Sequence, residues 1–372
     1  MQIEIPAVLY RGGTSKGPLF LASDLPSDPA TRDAVLLAVM GSPHPRQIDG
    51  LGGAESLTSK VAIVSRSKRT GIDVDYLFAQ VTPNSDVVDY FSNCGNMLSA
   101  VGPFAIERGL VAATGRETTV RIFNVNSNAP IDALIQTPGG RVTYEGDAAI
   151  DGVNGTAAPV RLNFARSAGS TTGALLPTGV RRESIEGIEV SCLDVAVPLI
   201  IIPADALGKT ARESKPEINA DKAFLGRLET IRREAGRRMG LGDVAEKVIP
   251  KPLIVGPPAQ GGSISARDFV PYECHAAFSV TGSIGLSAAC CMPGNVAHEV
   301  ASLASSARKP VIIEHPSGKV VVETNSIAEG EDFKLIEATL LRTCRKLFAG
   351  VVMIPERAWP QHVNSKERLV SA

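Results

Sequence analysis

Short runs rich in apolar and β-branched residues, some alternating with polar positions and some continuously apolar, are bounded by turn residues, and each such run predicts a strand. The runs are Ile3 to Tyr10, Val61 to Ser65, Val74 to Val81, Thr118 to Phe123, Ile131 to Gln136, Arg141 to Tyr144, Gly187 to Asp194, Ala196 to Ile202, Leu253 to Val255, Val311 to Glu314, Lys319 to Val322 and Leu347 to Met353. Helical spacing is rarer and predicts about four helices. The first is capped by Asp28-Pro29, runs from Ala30 to Met40 and is closed by Gly41. So few helices among so many strands do not make the βαβα alternation of a doubly wound sheet; the pattern predicts an α+β chain.

Two of the helices, Met97 to Ile106 and Ile284 to Cys291, are apolar on nearly every face. Such a helix is surrounded by protein, so each is expected to run through a strand-wrapped core. Their entrances are alike: Cys94-Gly-Asn-Met-Leu-Ser-Ala100 matches Thr281-Gly-Ser-Ile-Gly-Leu-Ser-Ala288 with one extra residue, which predicts an internal repeat of two copies. The fourth helix, Asp221 to Met239, has the charged face of a surface element.

The length of 372 residues suits two domains. Basic and acidic side chains nearly cancel, 38 against 39, so no long-range field recruits nucleic acid or a membrane, and any anion must be held locally. The apolar run Leu193 to Ile202 is short and broken by Asp194 and Pro198, so no membrane span is expected. Six cysteines without a CxxC pair, and no leader pattern, predict a cytoplasmic chain with free thiols.

Candidate chemistry gathers at a few positions. Cys94 stands where a strand meets a buried helix, and amides at a helix entrance stabilise a thiolate, which makes it a candidate acid or base rather than a plain core cysteine. Lys60 follows the glycine-rich turn that starts at Gly50 and precedes an apolar strand, where desolvation favours a neutral amine fit for general-base duty; a solvated lysine is the bland alternative. The segment Arg11-Gly-Gly-Thr-Ser-Lys-Gly17 lacks the spacing of a nucleotide loop, since Gly17 follows Lys16 where Ser or Thr is required, but its amides with Thr14, Ser15 and Lys16 suit a carboxylate. His315-Pro-Ser-Gly318 reads equally as a tight turn or a substrate contact. His298-Glu299 and Cys274-His275 lack ligand spacing, so neither metal nor cofactor is expected.

Taken together, Arg11 to Gly17, Ser59-Lys60 and Cys94-Gly-Asn96 make the chain resemble the PrpF family of isomerases, whose fold looks like that of diaminopimelate epimerase. The resemblance runs from about Ile5 to Met353. Val39 to Pro43, Arg46 to Gly50, Asp73 to Val81 and Gly173 to Gly179 are most similar to the branch of that family acting on 4-oxalomesaconate. It implies an α+β fold of two similar domains, each a β-sheet rolled around a central helix, with the active site in the cleft between them. One domain would span residues 1–186 with 350–372, and the other 187–349.

The same resemblance implies Lys60 and Cys94 as the proton-transfer pair. Around the substrate it implies Gly13, Thr14, Ser15, Lys16, Ser59, Gly95, Asn96, Met97, Thr281, Gly282, Ser283, His315, Ser317 and Gly318. Diaminopimelate epimerase opposes two cysteines, one per half; here Thr281 stands at the second entrance, which argues against two-thiol racemisation. The expected reaction is a cofactor-independent 1,3-allylic proton shift on an unsaturated di- or tricarboxylate, with 4-oxalomesaconate first and 2-methylaconitate, methylitaconate or aconitate as alternatives. A single-carbon epimerase and a silent carboxylate-binding protein are the rival readings. The only partner expected is the polycarboxylate substrate, with a homodimer as the default assembly.

Overall fold

The computed structural model describes residues 1–90, 94–270, 272–330 and 332–360, so residues 361–372 of the expected 350–372 segment lie outside it. The chain is α+β and divides into two compact units, Met1–Leu162 with Leu341–Ala372, and Asn163–Leu340. The first boundary therefore falls well before 186. The intervening segment packs on the second unit: Thr171 and Thr172 donate their N–H groups to the Asp194 carboxylate at 2.9 and 2.8 Å, and Glu183–Ile185 pairs with the strand beginning at Ile188. The second boundary falls at Leu340, not 349.

In the first unit the chain runs β1 (Gln2–Gly12), β2 (Ser15–Leu21), α1 (Pro29–Met40), β3 (Lys60–Arg66), β4 (Val74–Val81), the short β5 (Val88–Asp89), α2 (Gly95–Glu107), β6 (Glu117–Asn124), β7 (Ala129–Gln136) and β8 (Pro159–Asn163). β1 and β2 form an antiparallel hairpin, β2 and β3 are parallel, β3 and β4 antiparallel, β4 and β6 parallel, and β6 and β7 antiparallel. The alternation in Ala129–Gln136 is strict, every second side chain buried, because that strand keeps one face on the core and one towards water. α1 starts where Asp28 accepts the Thr31 N–H at 2.9 Å and ends at Gly41, whose φ of 77° supplies the left-handed cap. α2 touches β1, β2, β3, β4, β6 and β7. Enclosed in this way, it buries every residue from Met97 to Ala105, which accounts for its lack of a polar face.

The second unit repeats this wiring. Its elements are β9 (Glu183–Ile185), β10 (Ile188–Val195), β11 (Val197–Pro203), α3 (Lys215–Ala220), α4 (Lys222–Arg238), β12 (Lys251–Gly256), β13 (Ile264–Asp268), α5 (Val280–Cys290), α6 (Val296–Val300), β14 (Arg308–His315), β15 (Gly318–Glu329) and the first part of β16 (Asp332–Pro355). Pairing from β10 to β15 again runs antiparallel, parallel, antiparallel, parallel, antiparallel. α5 packs on β10, β11, β14 and β15. The end of β16 belongs to the first unit, where Ile354 pairs with Ile3 and Val351 with Pro6.

Two differences from the sequence reading matter for the site. Arg141 to Tyr144 is not a strand, because Gly139 and Gly140, at φ 64° and 77°, turn the chain away from the extended line of β7. Ser15 to Gly17, read as the end of the Arg11 to Gly17 loop, instead opens the strand β2: a Cβ on Gly17 would lie 1.8 Å from the Lys60 carbonyl oxygen, so glycine is required there by the close approach of β3 rather than by a turn.

Candidate active site

In the first unit three segments converge on the entrance of α2. Cys94 is its N-cap, extended at φ −132° and ψ 97°, with Sγ accepting the Met97 N–H at 3.5 Å and its own carbonyl accepting the Tyr76 hydroxyl at 3.3 Å. The thiol is buried, 7% exposed. Beside it the β1–β2 turn presses on the helix: a Cβ on Gly12 would meet the Asn96 carbonyl oxygen at 2.6 Å, and one on Gly13 would meet Asn96 Oδ1 at 2.2 Å. Asn96 Nδ2 in turn donates to Thr14 Oγ1 at 3.0 Å. These two glycines are therefore needed for close contact with the helix entrance.

Lys60 opens β3 with its side chain buried, and its main chain abuts Gly17, whose Cβ position lies 3.3 Å from the Met97 methyl. Lys60 Nζ donates to Gln80 Oε1 at 2.6 Å and lies 5.2 Å from the centre of the Phe78 ring. Gln80 cannot present its other end, because Nε2 already donates to the Ser59 and Ser56 carbonyls at 2.8 and 3.1 Å. The amine is thus held by an acceptor of fixed orientation.

Other expected site residues have their polar atoms committed. Ser59 is fully buried, donates to the Val81 carbonyl at 2.6 Å and accepts from Gln47 Nε2 at 2.6 Å. The Arg11 to Gly17 segment is a tight hairpin instead of an open donor loop: Gly12 pairs with Ser15, and the Gly13 N–H is taken by the Thr343 carbonyl at 2.9 Å. Ser15 Oγ is an exception, buried without a partner among the described residues.

The remaining expected residues form a second set in the second unit. Thr281 does not stand at the entrance of α5. The N-cap is Ser279, whose Oγ accepts the Gly282 N–H at 3.2 Å, and Thr281 sits within the first turn. The apparent match of the two entrances in sequence is therefore offset by two residues. Ser283 Oγ is turned back onto the Val280 carbonyl at 2.8 Å. The His315 to Gly318 turn closes the β14–β15 hairpin; its Ser317 hydroxyl donates to the Ala276 carbonyl, and the His315 ring lies 6.4 Å from that of Phe278, just before the helix.

Three residues of the first site are not among the expected site residues: Gln80, Gln47 and Arg342. Gln47 is buried at φ 45°, spanning Ser42, Ser59 and the Ala54 N–H, and so fixes the glycine-rich turn before Lys60. Arg342 lies in β16, and its Nε donates to Asn96 Oδ1 at 3.2 Å. Burial pulls its guanidinium down to about 10, opposed by the nearby Cys94 thiol. Burial pushes the thiols of Cys290 and Cys291 up, as befits core cysteines.

A buried amine held by Gln80 and a buried thiol capping α2 in the same unit are groups suited to proton transfer. The chain belongs to the PrpF family, whose model, described as PrpF protein, matches residues 2–355, and it is an isomerase. It is 50% identical to the (4E)-oxalomesaconate Delta-isomerase of Novosphingobium sp. (strain KA1), over 94% of this chain and 97% of that one. Against the 4-oxalomesaconate tautomerase of Pseudomonas putida it is 49% identical, covering 96% and 98%. Among solved structures a methylitaconate-delta-isomerase superposes with a TM-score of 0.85 at 35% identity, covering 96% of this chain and 97% of that one.

Proposed function

We propose that this isomerase moves a proton between two carbons of an unsaturated polycarboxylate, with 4-oxalomesaconate as substrate. A base takes a proton from a carbon activated by a neighbouring carbonyl or carboxylate, the electron pair spreads into a dienolate, and a proton returns two carbons away. No net oxidation occurs, so the balance needs no redox partner. The single observation that supports this best is near-50% identity to two oxalomesaconate enzymes together with a Lys60 amine braced by Gln80 and a Cys94 thiol capping α2 in the same unit.

Lys60 is assigned the role of principal base and Cys94 that of its acid partner. Gln80 leaves the amine one orientation, and the α2 amides favour negative charge developing beside Cys94. Six cysteines, all free, support a cytoplasmic setting.

The test is a direct ultraviolet assay of purified protein with 4-oxalomesaconate, methylitaconate, 2-methylaconitate and aconitate, run in parallel in deuterium oxide. The expected result is fastest turnover of 4-oxalomesaconate, with deuterium entering a carbon different from the one that loses its proton. Label confined to the carbon that loses the proton would instead establish single-carbon epimerisation.

A further inference from the structure

The first unit holds a half-buried cation, Arg342, that no carboxylate among the described residues neutralises. Arg342 lies on β16 two residues before Cys344, which pairs with Gly12, so Arg342 shares the face on which Gly12 meets Asn96 and Met97. Its Nε is bonded to Asn96 Oδ1 at 3.2 Å and its Nη1 to the Leu341 carbonyl at 2.9 Å. Both acceptors are neutral. No carboxylate among the described residues lies within ion-pair distance of it, although the other arginines of the chain are frequently paired, as Arg69 is with Asp75 and Arg238 with Glu234.

A desolvated guanidinium without a counter-charge is costly in a finished core and reasonable in a site that completes itself with an anion. Burial lowers its pKa to about 10, and the Cys94 thiol acts on it in the opposite direction. A second unsatisfied group faces the same side. Ser15 is one position along β2 from Lys16 and two from Gly17, so it shares the face of Gly17, which looks onto Met97; its buried hydroxyl has no partner among the described residues. One side of the β1–β2 turn and the adjoining residue of β16 thus offer a fork of N–H donors and a free hydroxyl beside the capped thiol.

We propose that Arg342 is the carboxylate anchor of this site, taking one carboxylate of the substrate in a charge-assisted contact that Ser15 extends, and that it thereby determines the requirement for an acidic substrate. Arg342 binds and orients; it moves no proton. The inference rests on the reaction proposed above and names the residue that recognises its substrate class. Anchoring acts on ground state and transition state alike, so its loss appears in KM far more than in kcat.

The experiment compares the full-length chain with Arg342→Lys and Arg342→Met, using steady-state kinetics and melting-temperature shifts with trans-aconitate, mesaconate and crotonate at fixed ionic strength. Arg342→Met should raise KM about 10- to 100-fold, the range of a charge-assisted hydrogen bond, with kcat within about threefold, and should abolish the shift caused by trans-aconitate. Arg342→Lys, which keeps the charge but not the planar fork, should fall between the two. A low kcat with unchanged KM in both variants would mark Arg342 as structural and overturn the anchor. Wild-type turnover reads the reaction separately. A protein that binds trans-aconitate through Arg342 yet turns over none of the four acids leaves the anchor standing and sinks the proposed reaction. Active Arg342→Met with wild-type KM and an undiminished trans-aconitate shift sinks the anchor alone.

Discussion

The two units share one wiring and differ in what they place at equivalent points. In each, the third strand of the repeat opens with a lysine, Lys60 in β3 and Lys251 in β12, and a buried helix begins at a side-chain cap, Cys94 for α2 and Ser279 for α5. In the second unit Lys251 Nζ donates to Ser279 Oγ at 3.2 Å, and that oxygen also takes the Gly282 N–H. The Ser279 main-chain N–H is held by Asp268 at 3.0 Å. In the first unit the lysine is instead bound to Gln80, and the cap is a thiol. The hairpin turns differ as sharply, Gly-Gly-Thr-Ser against the apolar Val195-Ala-Val-Pro198. The lesson is that topology supplies a place for an amine and a cap, but chemistry needs a titratable cap and an amine not already spent on it. A serine hydroxyl is far too weak an acid to replace the thiol without a base of its own.

That contrast is open to direct attack. The largest effect should come from the lysines: Lys60→Ala should lower turnover by about a thousandfold or more, and Lys251→Ala by no more than about tenfold, both measured by the ultraviolet assay. Equal losses would erase the functional difference between the units. Cys94→Ala should fall at least about a hundredfold while keeping the unfolding midpoint near that of the wild type.

Next comes a carboxylate that belongs to the second unit. Glu314 accepts the N–H groups of Ala259, Gln260 and Gly262 at 2.8, 2.6 and 2.7 Å and the Ser265 hydroxyl at 2.8 Å. Burial alone would raise its pKa, but these donors outweigh it and hold the carboxyl down to about 2 against an ordinary 4.5. The folded pKa is depressed, so the stabilisation is complete above about pH 4.5 and disappears as pH falls towards 2. At neutral pH it amounts to about 3 kcal/mol. Glu314→Gln should therefore lower the melting temperature at pH 7 and converge with the wild type near pH 2; a gap that stays constant with pH would refute the assignment.

Gln80→Met removes the acceptor that orients Lys60 and should cost about tenfold in kcat; an unchanged kcat would show that this contact does not position the amine. The smallest effect is expected for Ser279→Ala, about 1 kcal/mol of stability from a lost helix cap, read by denaturant unfolding.

Much of this was legible in the chain. The all-apolar stretches around Met97 and Ile284 have no polar face because each helix is enclosed, and that composition cannot serve any exposed helix. Cys94 beside Gly95-Asn96 stands out for the same local reason: a thiol, a small residue and an amide at a helix start. Strands failed where glycine was ambiguous. Gly17 looks like flexibility in sequence and is instead a steric demand of the Lys60 main chain.

What the sequence determined alone was therefore local: periods, caps, and which side chains have acid–base chemistry. Tertiary structure decided which of those groups are available. It bound the Ser59 and Ser283 hydroxyls to the Val81 and Val280 carbonyls, moved the second helix start from Thr281 to Ser279, oriented Lys60 through a residue 20 positions away, and brought Arg342 to Asn96 across 246 residues. No local pattern encodes such pairings, because a hydrogen bond depends on where two strands end after the sheet has closed around its helix, and the free energy of that closure comes from the apolar faces, not from the polar groups they bring together.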